Sequence, residues 1–435
     1  MRWKLRILQW VLLLLDTALI WSIFICYDGY SHSISNYIVM SLCYAVIIMC
    51  LYAFRGYDLA RSKSLSVNLI SRFQGLVTAA FICSFIFFFA QKGIPRSRIL
   101  LYSAIVFLML TLSRSLFFFL IKNSPIQEAI IVGSREKWDD LGKEISDSVL
   151  NKVIPVCYCL PDIGAIEECT SRYPGARLLI VIDPLFLSKA NIRRRINHLR
   201  DKNIRVEYLP NVVERYLERI PLSSAKEFSG YYEIALNTVS TKYMKRAFDI
   251  AFSVIGLIIG IPFMIVIALW ILIEDGRPVI FSQERVGMNG RKYIMHKFRS
   301  MKNTPADAKE PAFATQEQSR ILNPIGKIIR KTRFDELPQL WDVLIGNMSL
   351  IGPRPEQPRF VEQFSDELPF YDYRHHARPG ITGWAQVKYR YAASLEETAR
   401  KLEYDLYYVK NWSILLDLSI ILKTVATVLG MEGSK

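Results

Sequence analysis

The sequence predicts a mixed membrane protein in three parts: a four-helix transmembrane bundle, a Rossmann-like α/β middle domain, and an α+β monotopic domain with a re-entrant membrane helix. Three observations predict it. Four apolar runs open the chain, strand-like and helical runs alternate from residue 128, and a fifth apolar run has a proline at its centre and cations at both ends. The 435 residues divide accordingly into 1–122, 127–235 and 242–435. With 51% hydrophobic and 22% charged residues, the chain is not disordered. Its 55 Lys and Arg against 40 Asp and Glu leave a net charge of +15. That excess calls for anionic company, such as lipid headgroups or phosphate-bearing substrates. No nucleic-acid motif is present, and the basic residues are dispersed, so no nucleic acid is expected as a partner.

Length justifies the bundle. The apolar runs at 7–27, 37–54, 73–90 and 99–121 are each near the ~20 residues that cross ~30 Å of hydrocarbon. Asp16 interrupts the first and no small-residue cleavage site follows, so it reads as a span rather than a signal peptide. Arg2, Lys4 and Arg6 precede the first run, and Arg55, Arg61 and Lys63 follow the second, which puts both ends of the bundle in the cytoplasm. Lys92, Arg96 and Arg98, between the third and fourth runs, go against that rule. Asp16 and Arg114 lie within spans; they read either as a buried ion pair or as a snorkelling arginine and an aspartate facing a polar gap. The seven cysteines show no CxxC and no Cys/His ligand spacing. They read as reduced and structural, without a zinc site.

In the middle domain, strands are expected at 129–133, 152–159, 178–182 and 205–209, with helices near 136–149 and 188–201. Such alternation implies a parallel sheet. A dinucleotide fingerprint would need GxGxxG after the first strand; here Gly133-Ser134-Arg135-Glu136-Lys137-Trp138 keeps one glycine. An assembly or regulatory module fits better than a cofactor site, and the domain offers a surface for a possible homodimer.

Residues 251–273 are long enough to cross a bilayer and nearly uncharged. Pro262 stands at their middle, with Gly256 and Gly260 nearby, where a helix bends or breaks. Lys242, Lys245 and Arg246 precede the run, and Arg277 and Arg285 follow it. A crossing would strand one cluster on the wrong side. The run is therefore expected to enter the membrane, break at Pro262 and leave on the same face; a fifth span with a proline kink is the alternative.

The remaining chain carries the chemistry. Gly287-Met288-Asn289-Gly290 between apolar runs signals a hairpin. Its returning strand ends in His296-Lys297-Phe298-Arg299, with two cations expected on one face to meet phosphate or solvent. A loop is expected at 302–324 and a basic helix at 325–331. Asp335 then reads as an N-cap, setting Asp335 and Glu336 at a helix N-terminus that favours carboxylates and attracts phosphate. The pair is either an ordinary acidic cap or a nucleophile, base or metal ligand. Arg330 lies upstream, and two prolines stiffen the backbone around Arg354 in Gly352-Pro353-Arg354-Pro355. The segment 378–387 is either a loop for nucleotide approach or a tight structural turn. His375 and His376 read as interfacial, and 412–429 as a helix lying on the membrane with Tyr407, Tyr408 and Trp412 near the headgroups.

Together, Lys245-Arg246-Ala247-Phe248-Asp249, Phe281 to Gly287, Lys297 to Met301, Asp335 to Leu340, Gly352-Pro353-Arg354-Pro355 and Arg378 to Val387 resemble the polyprenyl-phosphate phosphoglycosyltransferases of the bacterial sugar transferase family. The four spans and worn Rossmann-like domain resemble its large type with a monotopic catalytic core, which includes undecaprenyl-phosphate glucose and galactose phosphotransferases. The resemblance implies that a UDP-sugar donates a sugar 1-phosphate to undecaprenyl phosphate, releasing UMP, at the cytoplasmic face of a bacterial inner membrane. It implies Asp335 as nucleophile, with Mg²⁺ beside it, and Glu336 assisting the lipid phosphate. It further implies Arg330, Arg354, Lys297 and Arg378 on the substrate phosphates, and Pro262 as the re-entrant break. Two other readings compete: a non-enzymatic membrane scaffold for polysaccharide assembly, and a membrane-tethered nucleotide-sugar dehydratase, which would need an intact glycine fingerprint.

Overall fold

The computed structural model describes residues 14–22, 34–53, 65–89, 104–113, 126–148, 153–182, 204–237, 242–301, 324–389 and 394–428, with isolated positions between 11 and 119. The chain is a mixed α/β protein with a parallel sheet and one long apolar helix. It divides into two compact units, 1–217 and 218–435.

In the first unit, helices α1 (Ile34–Ala53) and α2 (Leu65–Phe89) pack with the helical stretches 14–22 and 104–113. Ile20, Leu51, Leu76, Val106 and Leu110, drawn from all four, share one buried cluster. Helices α1 and α2 are 20 and 25 residues long, whereas the described stretches 14–22 and 104–113 are shorter than a full span, so the four expected crossings are described only in part. Asp16 is fully buried; its expected partner, Arg114, lies outside the described residues.

The same unit holds β1 (Gln127–Val132), α3 (Arg135–Ser148), β2 (Val153–Cys159), α4 (Ile163–Arg172), β3 (Ala176–Val181), β4 (Arg205–Tyr208) and α5 (Leu209–Leu217). All strand pairs are parallel, in the order β2-β1-β3-β4. The central strands are buried on both faces, which is why they read as unbroken apolar runs. The helix expected at 188–201 lies outside the described residues. Helix α4 was not expected; Asp162 caps it, accepting from the Gly164 and Ala165 amides at 3.0 and 3.4 Å. The turn after β1 is filled by protein: Trp138 is 3% exposed, and a Cβ on Gly133 would meet Ile182 at 2.7 Å and Trp138 at 3.3 Å. One cysteine expectation is corrected. Cys157 and Cys169 form a disulfide, because β2 and α4 pack side by side across a separation no sequence spacing reveals. Cys43, Cys50, Cys83 and Cys159 are free and buried.

The second unit begins earlier than expected. Helices α6 (Leu222–Glu227) and α7 (Ser229–Asn237), read from sequence as part of the middle domain, pack here. Arg219 pairs with Glu403, whose carboxylate also accepts the Leu222 amide at 2.9 Å. Helix α8 follows (Lys242–Asp275), then a hairpin of β5 (Ile280–Val286) and β6 (Lys292–Phe298). Its turn needs Asn289 and Gly290 at φ 56° and 74°, the left-handed region that Asn-Gly enters at little cost. Then come α9 (Ile325–Thr332), α10 (Gln339–Ile345), β7 (Ser349–Ile351), α11 (Pro358–Glu367), β8 (Gly380–Thr382), α12 (Trp384–Lys388), α13 (Leu395–Lys410) and α14 (Ile414–Val428). The loop expected at 302–324 falls almost wholly outside the described residues.

Helix α8 corrects the expected break: it runs as one helix through Pro262. The unit braces it on both sides of the proline. Leu340 and Leu337 lie over Gly256 and Gly260, while Ile267 and Ile271 pack with Phe298, Ile325 and Ile329. Packing of this kind offsets the hydrogen bond that proline removes.

Around the C-terminal helix, one part of the expectation is corrected: Tyr407 and Tyr408 are buried rather than set near headgroups. Asp417 on α14 is buried, accepting from Lys245 at 2.8 Å, Tyr408 at 2.9 Å and Trp412 at 3.0 Å, while Ile414, Leu415 and Leu418 stand exposed. His375 is buried against Tyr371, and burial pushes its imidazole down to about 4, so it is no interfacial group.

Candidate active site

The segment Phe334–Glu336 forms a 3₁₀ turn that follows α9 and leads into α10. Arg333 links the two helices in the left-handed conformation, φ 61°. Asp335 is therefore not an N-cap: it sits inside the turn and makes no capping hydrogen bond. The reason is that Arg333 takes the cap position, and Pro338 the cap of α10.

What surrounds Asp335 gives it its character. The residue is buried, and its Oδ1 has no hydrogen-bond partner. Burial raises its carboxyl to about 6, and the neighbouring Glu336 charge adds to that; Lys297, Arg333 and Arg330 pull the other way. Glu336 is held from two sides, with Arg333 Nη1 3.2 Å and Arg354 Nη1 3.7 Å from its Oε1. Lys297, on β6, stands over the Phe281 ring at 5.0 Å. Burial lowers its ammonium, as do Arg285, Arg354 and Arg330, while Asp335 raises it. Asp342 on α10 locks that strand, its two oxygens 2.9 Å from the His296 amide and 2.8 Å from Nδ1. Arg330 donates to the Met301 sulfur at 2.8 Å.

The structure thus brings Asp335, Glu336, Lys297, Arg330 and Arg354 into one cation-rich cluster and adds Arg333, which the sequence reading passed over. It separates the two alternating cations. Arg299 turns inward, donating to the Asp275 and Gly276 carbonyls at 2.8 Å each and pairing with the Asp275 carboxylate at 2.9 Å. Arg378 faces the far end of α10, donating to the Gly346 carbonyl at 3.2 Å. It lines a small cavity of about 60 Å³ with Lys245, Asp249, Ser349, Tyr408 and Trp412.

The segment 378–387 resolves as a structural turn. β7 and β8 pair in parallel, the Gly352 amide donates to the Thr382 carbonyl and the Gly380 amide to the Pro353 carbonyl, both at 2.9 Å. A Cβ on Gly352 would overlap the Arg378 carbonyl, and one on Gly380 the Gly352 amide. These glycines let backbone meet backbone, leaving no approach to a ligand there. The Arg354 turn is further pinned because its carbonyl accepts from Arg374 at 2.9 Å, and Arg374 is itself held by Asp405.

A magnesium ion takes one or two carboxylates and completes its shell with water and substrate phosphate. Among the described residues no three acidic, His or Cys groups cluster. The unpartnered Oδ1 of Asp335 beside Glu336 fits that sparse requirement.

Comparison with known proteins bears on the same region. The model of the bacterial sugar transferase family matches residues 240–431. Exopolysaccharide production protein PSS of Rhizobium leguminosarum bv. phaseoli is 41% identical over 189 residues, 42% of this chain and 94% of that protein. The chain belongs to the bacterial sugar transferase family. Two longer members are also similar. The UDP-N-acetylgalactosamine-undecaprenyl-phosphate N-acetylgalactosaminephosphotransferase of Aeromonas hydrophila is 47% identical over 193 residues, 44% of this chain and 45% of its own length. The UDP-glucose:undecaprenyl-phosphate glucose-1-phosphate transferase of Escherichia coli (strain K12) is 36% identical over 243 residues, 54% of this chain and 51% of its own. The match spans about half the length of these two bacterial sugar transferases.

Proposed function

We propose that this chain transfers a sugar 1-phosphate from a UDP-sugar to undecaprenyl phosphate, releasing UMP, as the first membrane step of exopolysaccharide, capsule or O-antigen synthesis. The carrying observation is the buried, unpartnered Asp335 carboxylate within a ring of cations. Its oxygen attacks the sugar-linked phosphorus, the bond to UMP breaks, and a phosphosugar-aspartyl intermediate forms. An oxygen of the lipid phosphate then attacks the same phosphorus and returns Asp335 as a carboxylate. Glu336 assists the second attack. Lys297, Arg330, Arg333 and Arg354 offset the charge of two anions that must meet. Bound beside Asp335, Mg²⁺ would neutralise the donor diphosphate.

A membrane-bound acceptor suits this unit. Helix α8, about 51 Å long at 1.5 Å per residue, is tied to the same unit at both ends. Arg246 donates to the Val343 and Leu344 carbonyls at 2.6 and 2.7 Å near its start, and Asp275 pairs with Arg299 at its end. Ile258, Ile259, Phe263, Val266 and Ile273 stand exposed between. That pattern supports a membrane-embedded helix whose two ends stay docked on one unit, rather than a crossing, and a UDP-sugar donor made in the cytoplasm would put that unit on the cytoplasmic side. Phe263 and Phe334, 6.1 Å apart by ring centroids, bring the apolar face up to the residue before Asp335. The first 122 residues serve as a multi-pass anchor.

The donor is UDP-glucose, UDP-galactose or UDP-N-acetylgalactosamine. Purified protein with Mg²⁺ and undecaprenyl phosphate is expected to release UMP from one of the three. Asp335→Asn should lower that rate about a hundredfold or more. Retained turnover in this variant would refute the nucleophile.

A further inference from the structure

We propose that Lys401 holds the donor phosphate that departs with UMP, acting with Arg354 as the outer side of the cation cluster. The inference deepens the proposed function and rests on a UDP-sugar being the substrate. Helix α13 brings Lys401 there by its register. One turn further along, Asp405 accepts from Arg374 Nη2 at 2.9 Å, and the same nitrogen donates to the Arg354 carbonyl at 2.9 Å. Positions four apart share a helix face, so Lys401 stands on the face turned towards Arg354. Burial lowers its ammonium; Glu356, two positions past Arg354, raises it, and Arg354 lowers it. Glu356 is already engaged, its carboxylate 3.9 Å from Arg285 and its carbonyl accepting the Val286 amide at 3.0 Å. Among the described residues Lys401 makes no ion pair or hydrogen bond.

Both cations can be reached from outside. The Arg354 side chain is 46% exposed, and Lys401 is half-buried rather than enclosed. Arg354 Nη1 lies 3.3 Å from Gln386 Oε1 and 3.7 Å from Glu336 Oε1, so it borders the acidic pair, with Lys401 beyond it. Like charges set side by side repel, and an anion placed against them relieves that cost. Two anionic ligands visit the site. The polyprenyl phosphate approaches along the apolar side, which the contact of Phe263 with Phe334 marks. Arg354 and Lys401 belong to other elements, the turn after β7 and helix α13, and face what is left, the nucleotide end of the donor. When the Asp335 oxygen bonds to the sugar-linked phosphorus, the bridging P–O bond breaks and its electron pair goes to the phosphate of UMP. Negative charge grows there, one phosphate out from the attacked atom, where an outer pair of cations stabilises it.

Lys401→Met tests this, because it removes the charge and keeps the length, while Lys401→Arg keeps the charge; Lys401→Gln replaces the methionine variant if that one is poorly folded. Full-length protein is titrated with UMP and, separately, with uridine, which lacks only the phosphate. Lys401→Met should weaken UMP binding about tenfold, the size of one lost charge-assisted contact, with uridine binding within twofold of wild type. Lys401→Arg should recover most of the UMP affinity. A packing role would instead weaken UMP and uridine alike and lower the thermal midpoint, and that result, an unmoved UMP affinity, or an arginine variant as weak as the methionine one would overturn the inference. Wild-type protein that bound UMP no more tightly than uridine and released no UMP from any of the three donors would sink the functional reading first; a wild type that turns over and prefers UMP, beside an unchanged methionine variant, sinks Lys401 alone.

Discussion

Two buried aspartates in the C-terminal unit show how the same burial serves opposite ends. Asp405 is 3% exposed and directly paired, its Oδ2 accepting from Arg374 Nε at 3.2 Å and Nη2 at 2.9 Å. Asp335 is 9% exposed, yet its Oδ1 has no partner. Burial is the largest influence raising both carboxyls. Around Asp405 a guanidinium is in direct contact, and the pair builds structure, pinning the Arg354 turn through its carbonyl. Around Asp335 the cations stand back, and a charged oxygen is kept open. A buried carboxylate with its partners in place is scaffold; one denied them is reactive.

The largest expected effect tests the scaffold half. Asp405→Asn leaves Arg374 buried without its counter-ion and should cost about 3–5 kcal/mol of stability. Loss should be read as a lower unfolding midpoint or failure to accumulate folded protein. A near-wild-type midpoint would erase the contrast.

The reactive half predicts the reverse sign for stability. Because folding raises the Asp335 pKa from 3.8 to about 6, the ionised group costs stability above that pH and costs nothing once protonated in both states. Asp335→Asn should therefore stabilise the protein at pH 8, by at most about 3 kcal/mol for a shift of roughly two units. The gain should fade as pH drops towards 4. A variant less stable than wild type at pH 8 would show Asp335 to be another structural acid.

The smallest effect sharpens the contrast further. Only ionised Asp335 attacks phosphorus, so UMP release in a single turnover without lipid acceptor should fall as pH drops through about 6. The decline should approach tenfold per pH unit below it. A rate flat to pH 5 would mean that the carboxyl keeps its ordinary value.

Sequence alone settled what short-range physics controls. The central strands β1 and β3 announced themselves as apolar runs because both faces of a parallel sheet are buried there, and Asn289-Gly290 announced the β5–β6 turn because few other pairs enter the left-handed region cheaply. The apolar run within α8 and the motif stretches around Asp335 were equally legible. Tertiary structure alone decided which of several similar residues does what. Lys297 and Arg299 sit two apart, yet one joins the acidic pair and the other ties down the end of α8. Arg354 and Arg378 lie in equally rigid segments, yet their contacts lead to opposite ends of α10. Gln386 stood in the sequence only as one position of the 378–387 segment, since its contact with Arg354 reaches 32 positions away. A helix or a turn is fixed by hydrogen bonds among near neighbours, whereas the state of a charge or an amide depends on which distant chain is packed against it.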